Sequence, residues 1–146
     1  MTIRKVSVML CAVFAVGLMA VAAEKEFKQT CPVSGQAAKE DKTADYKGGK
    51  VYFCCGDCPT EFKKNTAKYA TKANLQLAAT GQAKEVKCPL SGQALNKDTT
   101  VEVSGVKVTF CCEKCQAKVK EAKGDAQIDL VFKDEPFNKA FEVTKK

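Results

Sequence analysis

The sequence predicts an α+β protein made of two tandem, small, treble-clef-like modules, each with a β-hairpin, a cysteine knuckle and a short helix. Four cysteines recur at a constant offset of 57 residues, which indicates an internal duplication. Each copy also alternates polar and apolar residues around a glycine-containing turn, which is typical of a hairpin. A short helical pattern then follows each group of cysteines.

The repeated pattern contains eight cysteines, four in each copy. They are Cys31, Cys54, Cys55 and Cys58 in the first copy, and Cys88, Cys111, Cys112 and Cys115 in the second. We interpret all eight as candidate metal ligands.

Residues 1–23 are predicted to be a signal peptide. A basic start is followed by an apolar run too short to span a bilayer comfortably, and small residues lead to a cleavage point after Ala23. An uncleaved membrane anchor is the alternative. Cleavage would remove Cys11 and leave an even number of cysteines in a secreted or periplasmic protein without stable membrane insertion, where disulfides also form.

The charge and composition argue against several classes of function. The chain has 24 basic and 17 acidic residues, but Arg4 is its single arginine and it contains no histidine. Arginine supplies most bidentate contacts to guanine and phosphate, so we expect no nucleic-acid partner. Without a histidine base or a glycine-rich phosphate loop, we also predict no catalytic site and therefore no enzyme.

The first module is predicted at residues 27–75. Pro32 opens a tight loop after Cys31, and Pro59 suits the first turn of a helix whose Phe62 should point inward. The expected elements are, in order, strands at 44–46 and 51–53 around a Gly-Gly turn, a knuckle at 54–58, and a helix from Pro59 with a bend near Asn65.

The second module is predicted at residues 84–131, with Val119 in the place of Phe62. Its expected elements are strands at 101–103 and 106–110, a knuckle at 111–115, and a helix at 116–122 that stops at Gly124. Residues 79–85 are read as a linker, and 132–146 as a C-terminal tail that includes a short amphipathic helix at 136–141.

Each module is too small to offset its chain entropy by apolar burial alone, so the cysteines should stabilise it through metal or disulfide bonds. The Cys55-x2-Cys58 spacing favours metal, with the distant Cys31 closing the site. The adjacent Cys54 and Cys55 cannot easily bind one ion together. A three-sulfur site with one cysteine beside it would suit soft ions such as Zn(II), Cu(I), Cd(II) or Hg(II).

This pattern resembles the TRASH and YHS families of small metal-binding domains. The resemblance rests on a cysteine, 22 intervening residues, a second cysteine, three further residues and a third cysteine, with Phe53 and Phe62 around the first knuckle. It implies a role in the trafficking, resistance or sensing of heavy metals. The ligands that it implies are Cys31, Cys54 and Cys58, and Cys88, Cys111 and Cys115.

The sequence departs from the YHS pattern Asp-Pro-Val-Cys-Gly at the early cysteine. Here a cysteine stands in the Asp position, and Ser34 or Ser91 stands in the Cys position. The fourth ligand therefore stays open, with Cys55 and Cys112 as the candidates.

The leading hypothesis is a secreted or periplasmic protein that buffers, sequesters or delivers a soft metal ion, zinc or copper(I), through thiolates. The main alternative is a pair of disulfide-stapled modules with a structural or interaction role. A thiol redox protein using Cys55 and Cys58 is less favoured, because the βαβ context of a thioredoxin-like site is missing.

Overall fold

The computed structural model describes residues 27–144, so the predicted signal peptide and Cys11 lie outside the described residues. Five helices and three two-stranded antiparallel sheets lie within this range, which confirms the α+β prediction. The elements are β1 (Lys39–Tyr46), β2 (Gly49–Phe53), α1 (Cys58–Lys64), α2 (Thr66–Ala79), β3 (Ala83–Glu85), β4 (Asn96–Val103), β5 (Val106–Phe110), α3 (Glu113–Glu121), α4 (Asp125–Phe132), α5 (Asp134–Ala140) and β6 (Phe141–Val143).

Two hairpins, β1–β2 and β4–β5, form the antiparallel sheets that precede the knuckles. Both turn residues of each hairpin have positive φ, 51° and 88° at Lys47-Gly48 and 49° and 82° at Ser104-Gly105. Such turns match the twist of the flanking strands. The first turn therefore lies one residue earlier than the Gly-Gly pair that the sequence suggested, and Gly49 belongs to β2.

The first module continues with two helices separated at Asn65, where the sequence predicted a bend. Asn65 has φ −130° and ψ 45°, which interrupts the helical backbone between α1 and α2. The Thr66 hydroxyl donates a hydrogen bond to the Phe62 carbonyl at 2.9 Å across this junction. The Phe62 ring is buried, as expected.

The second module has a shorter helical region. Its helix α3 begins at Glu113, three residues before the predicted start at Gln116, and buries Val119 completely. Gly124 follows α3 with a φ of 56° and separates it from α4, where the sequence placed the helix stop.

A third sheet joins the predicted linker to the predicted tail. Strand β3 pairs antiparallel with β6, with Ala83 opposite Val143 and Glu85 opposite Phe141. Helix α5 precedes β6 and starts two residues before the predicted tail helix at 136–141, but it ends at Ala140, and Phe141 belongs to β6. The tail is thus part of the packed structure.

The two cysteine-containing halves share one hydrophobic core. Helix α2 packs against α4, and the buried cluster includes Phe53 and Leu77 from the first half and Phe110 and Val131 from the second. Asn74, fully buried on α2, donates hydrogen bonds across the junction to later residues. The module ranges 27–75 and 84–131 remain predictions, and the structure adds close packing between them.

Within residues 27–144, no helix combines the length and the apolar character needed to cross a membrane.

Candidate metal centres

A closed loop holds the first cysteine of each module. The Cys31 amide donates to the Gln36 carbonyl at 2.7 Å, and the Gly35 amide donates back to the Cys31 carbonyl at 2.9 Å. Gly35 has a φ of 76°, a conformation in which glycine carries no steric penalty. Both hydrogen bonds recur at Cys88, and both cysteines are fully buried. The loops therefore deliver a fixed sulfur to the site.

The remaining sulfurs come from the knuckles, which follow the second strand of each hairpin. Cys54 comes directly after the buried Phe53, and Cys58 is the first residue of α1. In the second module Cys111 follows β5, and Cys115 lies in the first turn of α3. A strand end and a helix start are therefore joined at each site.

The expected convergence of three cysteines is present in both modules. In the first cysteine cluster, Cys31, Cys54 and Cys58, all three sulfurs lie within 4.8 Å of one another. The second cysteine cluster, Cys88, Cys111 and Cys115, meets the same limit. These two groups could each hold a metal ion.

The sulfur–sulfur distances fit shared metal ligation better than disulfides. The distance from Cys54 Sγ to Cys58 Sγ is 3.6 Å, and that from Cys111 Sγ to Cys115 Sγ is 3.7 Å. Two thiolates on one tetrahedral ion with bonds of ~2.3 Å lie about 3.8 Å apart. A disulfide requires about 2.05 Å. All eight described cysteines are free thiols in this structure.

Cys55 and Cys112 lie outside the three-sulfur groups. Both side chains are exposed. Cys55 Sγ contacts Cys58 Sγ at 3.1 Å, whereas Cys112 Sγ contacts Cys111 Sγ at 3.7 Å. Their assignment as ligands stays a prediction.

Ser34 and Ser91 are site residues whose role the sequence reasoning missed. The Ser34 hydroxyl lies 3.1 Å from Cys54 Sγ, and the Ser91 hydroxyl lies 3.1 Å from Cys111 Sγ. Each hydroxyl also accepts a hydrogen bond from a backbone amide two residues later, at 3.2 Å. The available signal was their place in the cysteine position of the YHS pattern.

The loop cysteines are the most acidic buried thiols in the site. Burial alone would raise the pKa of Cys31, but hydrogen bonds from Ser34 and from backbone amides outweigh it and lower that pKa to about 7. The pKa of Cys88 is also lowered to about 7 against burial, through Ser91 and neighbouring amides. Both thiols are thus readily converted to the thiolate that binds metal.

The pKa values of the helix cysteines, Cys58 and Cys115, are raised by neighbouring thiols and by burial. The contact with Cys55, followed by burial, raises the pKa of Cys58. Burial and the neighbouring Cys111 raise the pKa of Cys115 to about 12. Crowded thiolates repel one another, and a bound cation would remove that repulsion.

The donor set fits a soft cation. Three thiolates at each site, with no histidine in the chain, suit zinc and copper(I) better than hard, oxygen-seeking ions such as magnesium or calcium.

Comparisons with known proteins add no relative: no family model, no curated protein and no solved structure matches this chain.

Proposed function

We propose that this protein binds soft metal ions, zinc or copper(I), one at each three-cysteine cluster. In this proposal it is a secreted or periplasmic protein that buffers, sequesters or delivers the ion and catalyses no reaction. Its two halves are treble-clef-like modules of the TRASH or YHS type.

The observation that carries the proposal is the recurrence of one sulfur geometry in two places. Each cluster draws its cysteines from a loop, a strand end and a helix start. If these cysteines served only as buried apolar side chains, three sulfurs would not need to lie within 4.8 Å of one another in both copies. A cation between them would offset the cost of placing several thiolates together in a partly buried site.

A second candidate function is thiol redox chemistry at the first knuckle. Its support is the 3.1 Å contact between Cys55 Sγ and Cys58 Sγ, which is shorter than the 3.6 Å contact between Cys54 Sγ and Cys58 Sγ. A disulfide-stapled structural module is the third reading, and it would need the sulfurs to close to about 2.05 Å.

The test is native mass spectrometry of the full chain, exported by its own leader and purified without added metal, beside a count of free thiols. We expect up to two ions per chain, with eight reactive thiols outside the leader after chelation. Eight thiols that resist alkylation until reduction, with no ion, would establish the disulfide reading instead. Reversible cycling of two thiols without an ion would support the redox reading.

Matched variants assign the ions to the clusters. Cys31→Ser and Cys88→Ser each remove one fully buried loop sulfur. Each variant should lose one ion and keep the other, and the double variant should lose both. Retention of both ions in the double variant would place the metal elsewhere.

A further inference from the structure

We propose that the two metal sites have different numbers of sulfur ligands. The first site closes with four, because Cys55 joins Cys31, Cys54 and Cys58. The second site holds its ion with three and leaves Cys112 as a free, exposed thiol at its rim. This inference rests on the proposed metal binding and deepens it.

The sulfur contacts differ between the two knuckles. Cys58 Sγ contacts both Cys55 Sγ, at 3.1 Å, and Cys54 Sγ, at 3.6 Å, and the Cys58 side chain is buried. Co-ligands on a tetrahedral ion lie about 3.8 Å apart, so Cys55 Sγ is already within co-ligand distance of Cys58 Sγ. To become the fourth ligand it has to move closer to the group formed by Cys31, Cys54 and Cys58, which it borders. The first knuckle therefore already gathers a fourth sulfur beside the cluster.

In the second knuckle, the contacts of the fourth sulfur differ. Cys112 Sγ makes its 3.7 Å contact with Cys111, its neighbour in sequence. Cys112 interacts with Cys115 mainly through the Cys115 backbone, whereas Cys55 interacts first with the Cys58 sulfur. In the proposed second site Cys111 is the ligand at the strand end, and Cys112 remains at the rim.

The backbone gives an independent reason for the difference. Helix α3 begins at Glu113, so Cys112 is its N-cap, with an extended φ of −159° and ψ of 166°. Helix α1 begins only at Cys58, so Cys55 lies in the bend before the helix. Moving Cys112 toward an ion would disturb the start of α3, whereas Cys55 can adjust without unwinding any helix.

The sequence explains why the helices begin at different places. Gly56 disfavours helix, and Pro59 is preferred in the first turn, so α1 cannot easily begin earlier. At the equivalent place, Glu113 and Lys114 are good helix formers, and a glutamate in the first turn interacts favourably with the helix dipole.

The consequence is a closed first site and an open second site. Four thiolates complete a tetrahedral zinc site of the kind that resists exchange. Three thiolates leave a coordination position that suits copper(I) or an incoming thiol from a partner. The first site would then retain its ion, and the second would release and accept ions more readily.

The experiment loads the full, reduced chain with zinc alone and maps alkylation by iodoacetamide, cysteine by cysteine. Two bound zinc ions per chain establish the underlying function. Zinc should then slow the alkylation of Cys55 at least about tenfold and leave the alkylation of Cys112 unchanged. The factor is taken from the roughly 10–100-fold changes in metal affinity that follow mutation of residues supporting metal ligands.

The variants Cys55→Ser and Cys112→Ser form a matched pair of exposed substitutions. Chelator competition should show one site weakened at least about tenfold in Cys55→Ser and neither site weakened in Cys112→Ser. Equal protection of Cys55 and Cys112, or rapid alkylation of Cys55 in a chain with two zinc ions, would overturn the proposed difference in ligand number. It would leave the proposed metal binding intact. Failure to bind zinc or copper(I) at all would overturn both the proposed function and the proposed difference in ligand number.

Discussion

The first module surrounds its knuckle with aromatic rings, whereas the second places an aliphatic side chain at the same position. The Phe62 ring centroid lies 5.4 Å from that of Phe53 and 5.3 Å from that of Tyr46. The equivalent residue of the second module is Val119, also completely buried. Three sulfurs converge in both modules despite this change, so the cluster geometry does not require an aromatic ring at this helix position.

The outer edges of the two hairpins are also protected differently. Gln76 Oε1 accepts from the Tyr52 amide at 2.6 Å, and Gln76 Nε2 donates to the Tyr52 carbonyl at 3.0 Å. At the equivalent strand position, the Thr109 amide donates to Glu85 Oε2 at 2.9 Å. Glu85 Oε1 is buried and has no hydrogen-bond partner. A neutral amide in one module thus replaces a partly buried acid in the other.

The hairpins themselves are alike down to their irregularity. In the first, the pairing shifts between Lys39–Phe53 and Thr43–Tyr52, and the second shows the same shift 57 residues later. The contrast teaches that local chain geometry sets the sulfur positions, while the surrounding packing varies. Four predictions follow from this contrast, in order of expected effect.

The largest expected effect comes from truncating the buried helix residue beside each knuckle, which is Phe62 in the first module and Val119 in the second. Phe62→Ala should lower the free energy of unfolding by about 3–5 kcal/mol, because it removes a buried ring and leaves a cavity. Val119→Ala should cost about 2 kcal/mol, since it removes only two buried methyl groups. Guanidinium unfolding at equal metal loading measures both. Equal losses would show that the two modules depend on this position to the same extent.

The second prediction concerns the junction between the halves. Asn74 Nδ2 donates to the Phe132 carbonyl at 2.9 Å and to Asp134 Oδ1 at 3.0 Å. Asn74→Ala should cost about 1–3 kcal/mol because it leaves a buried acceptor unpaired. Hydrogen exchange should lose protection in both hairpins, since they share a core.

Asn138→Ala is the control for that variant, because Asn138 makes an exposed hydrogen bond with Lys47 and should change stability little. Loss of protection confined to residues 27–75 after Asn74→Ala would instead show that the modules unfold independently.

The third prediction tests the shared feature of the two sites. Ser34→Ala and Ser91→Ala should each weaken the metal affinity of their own cluster about 10–100-fold, because each removes a hydroxyl 3.1 Å from a candidate ligand sulfur. The identical distances predict similar losses. Zinc competition measures the effect, and a loss in only one module would show that the hydroxyls have different roles.

The smallest effect is a pH dependence from Glu85. Burial, assisted by the nearby Cys88, raises the pKa of Glu85 from an ordinary 4.5 to about 7, although the Thr109 amide opposes the shift. Between these values the folded state binds more protons than the unfolded state, so stability falls as pH rises through this window. Glu85→Gln should remove that slope and add about 1 kcal/mol at pH 8, allowing for solvent screening.

The reciprocal variant, Gln76→Glu, places an acid at the neutral edge of the first module. It should be destabilised as pH rises, because its carboxylate would face the Tyr52 and Thr30 carbonyls that now accept from Gln76 Nε2. Thermal unfolding at pH 5 and pH 8 compares the pair. A flat pH profile in Gln76→Glu would contradict the proposed role of charge at this edge.

Much of each site could be predicted from local sequence. The hairpins, the bend near Asn65, the inward Phe62 and the convergence of three cysteines all depend on turn residues, alternation and spacing within about thirty residues. The helix starts were less accurate: α3 begins three residues earlier than expected, because Glu113 and Lys114 extend the helix into the knuckle.

The sequence alone determined the hairpins, the bend and the cysteine convergence, because turn residues, alternation and cysteine spacing act between residues close along the chain. Tertiary structure alone decided how β3 and β6 pair and how α2 lies on both hairpins. Gly49 shows why: a Cβ atom there would lie 2.8 Å from Leu77 Cδ2, so the close approach of α2 needs a glycine. Read alone, that glycine indicated only a turn. Its packing partner lies 28 positions away, and no local pattern identifies such a contact.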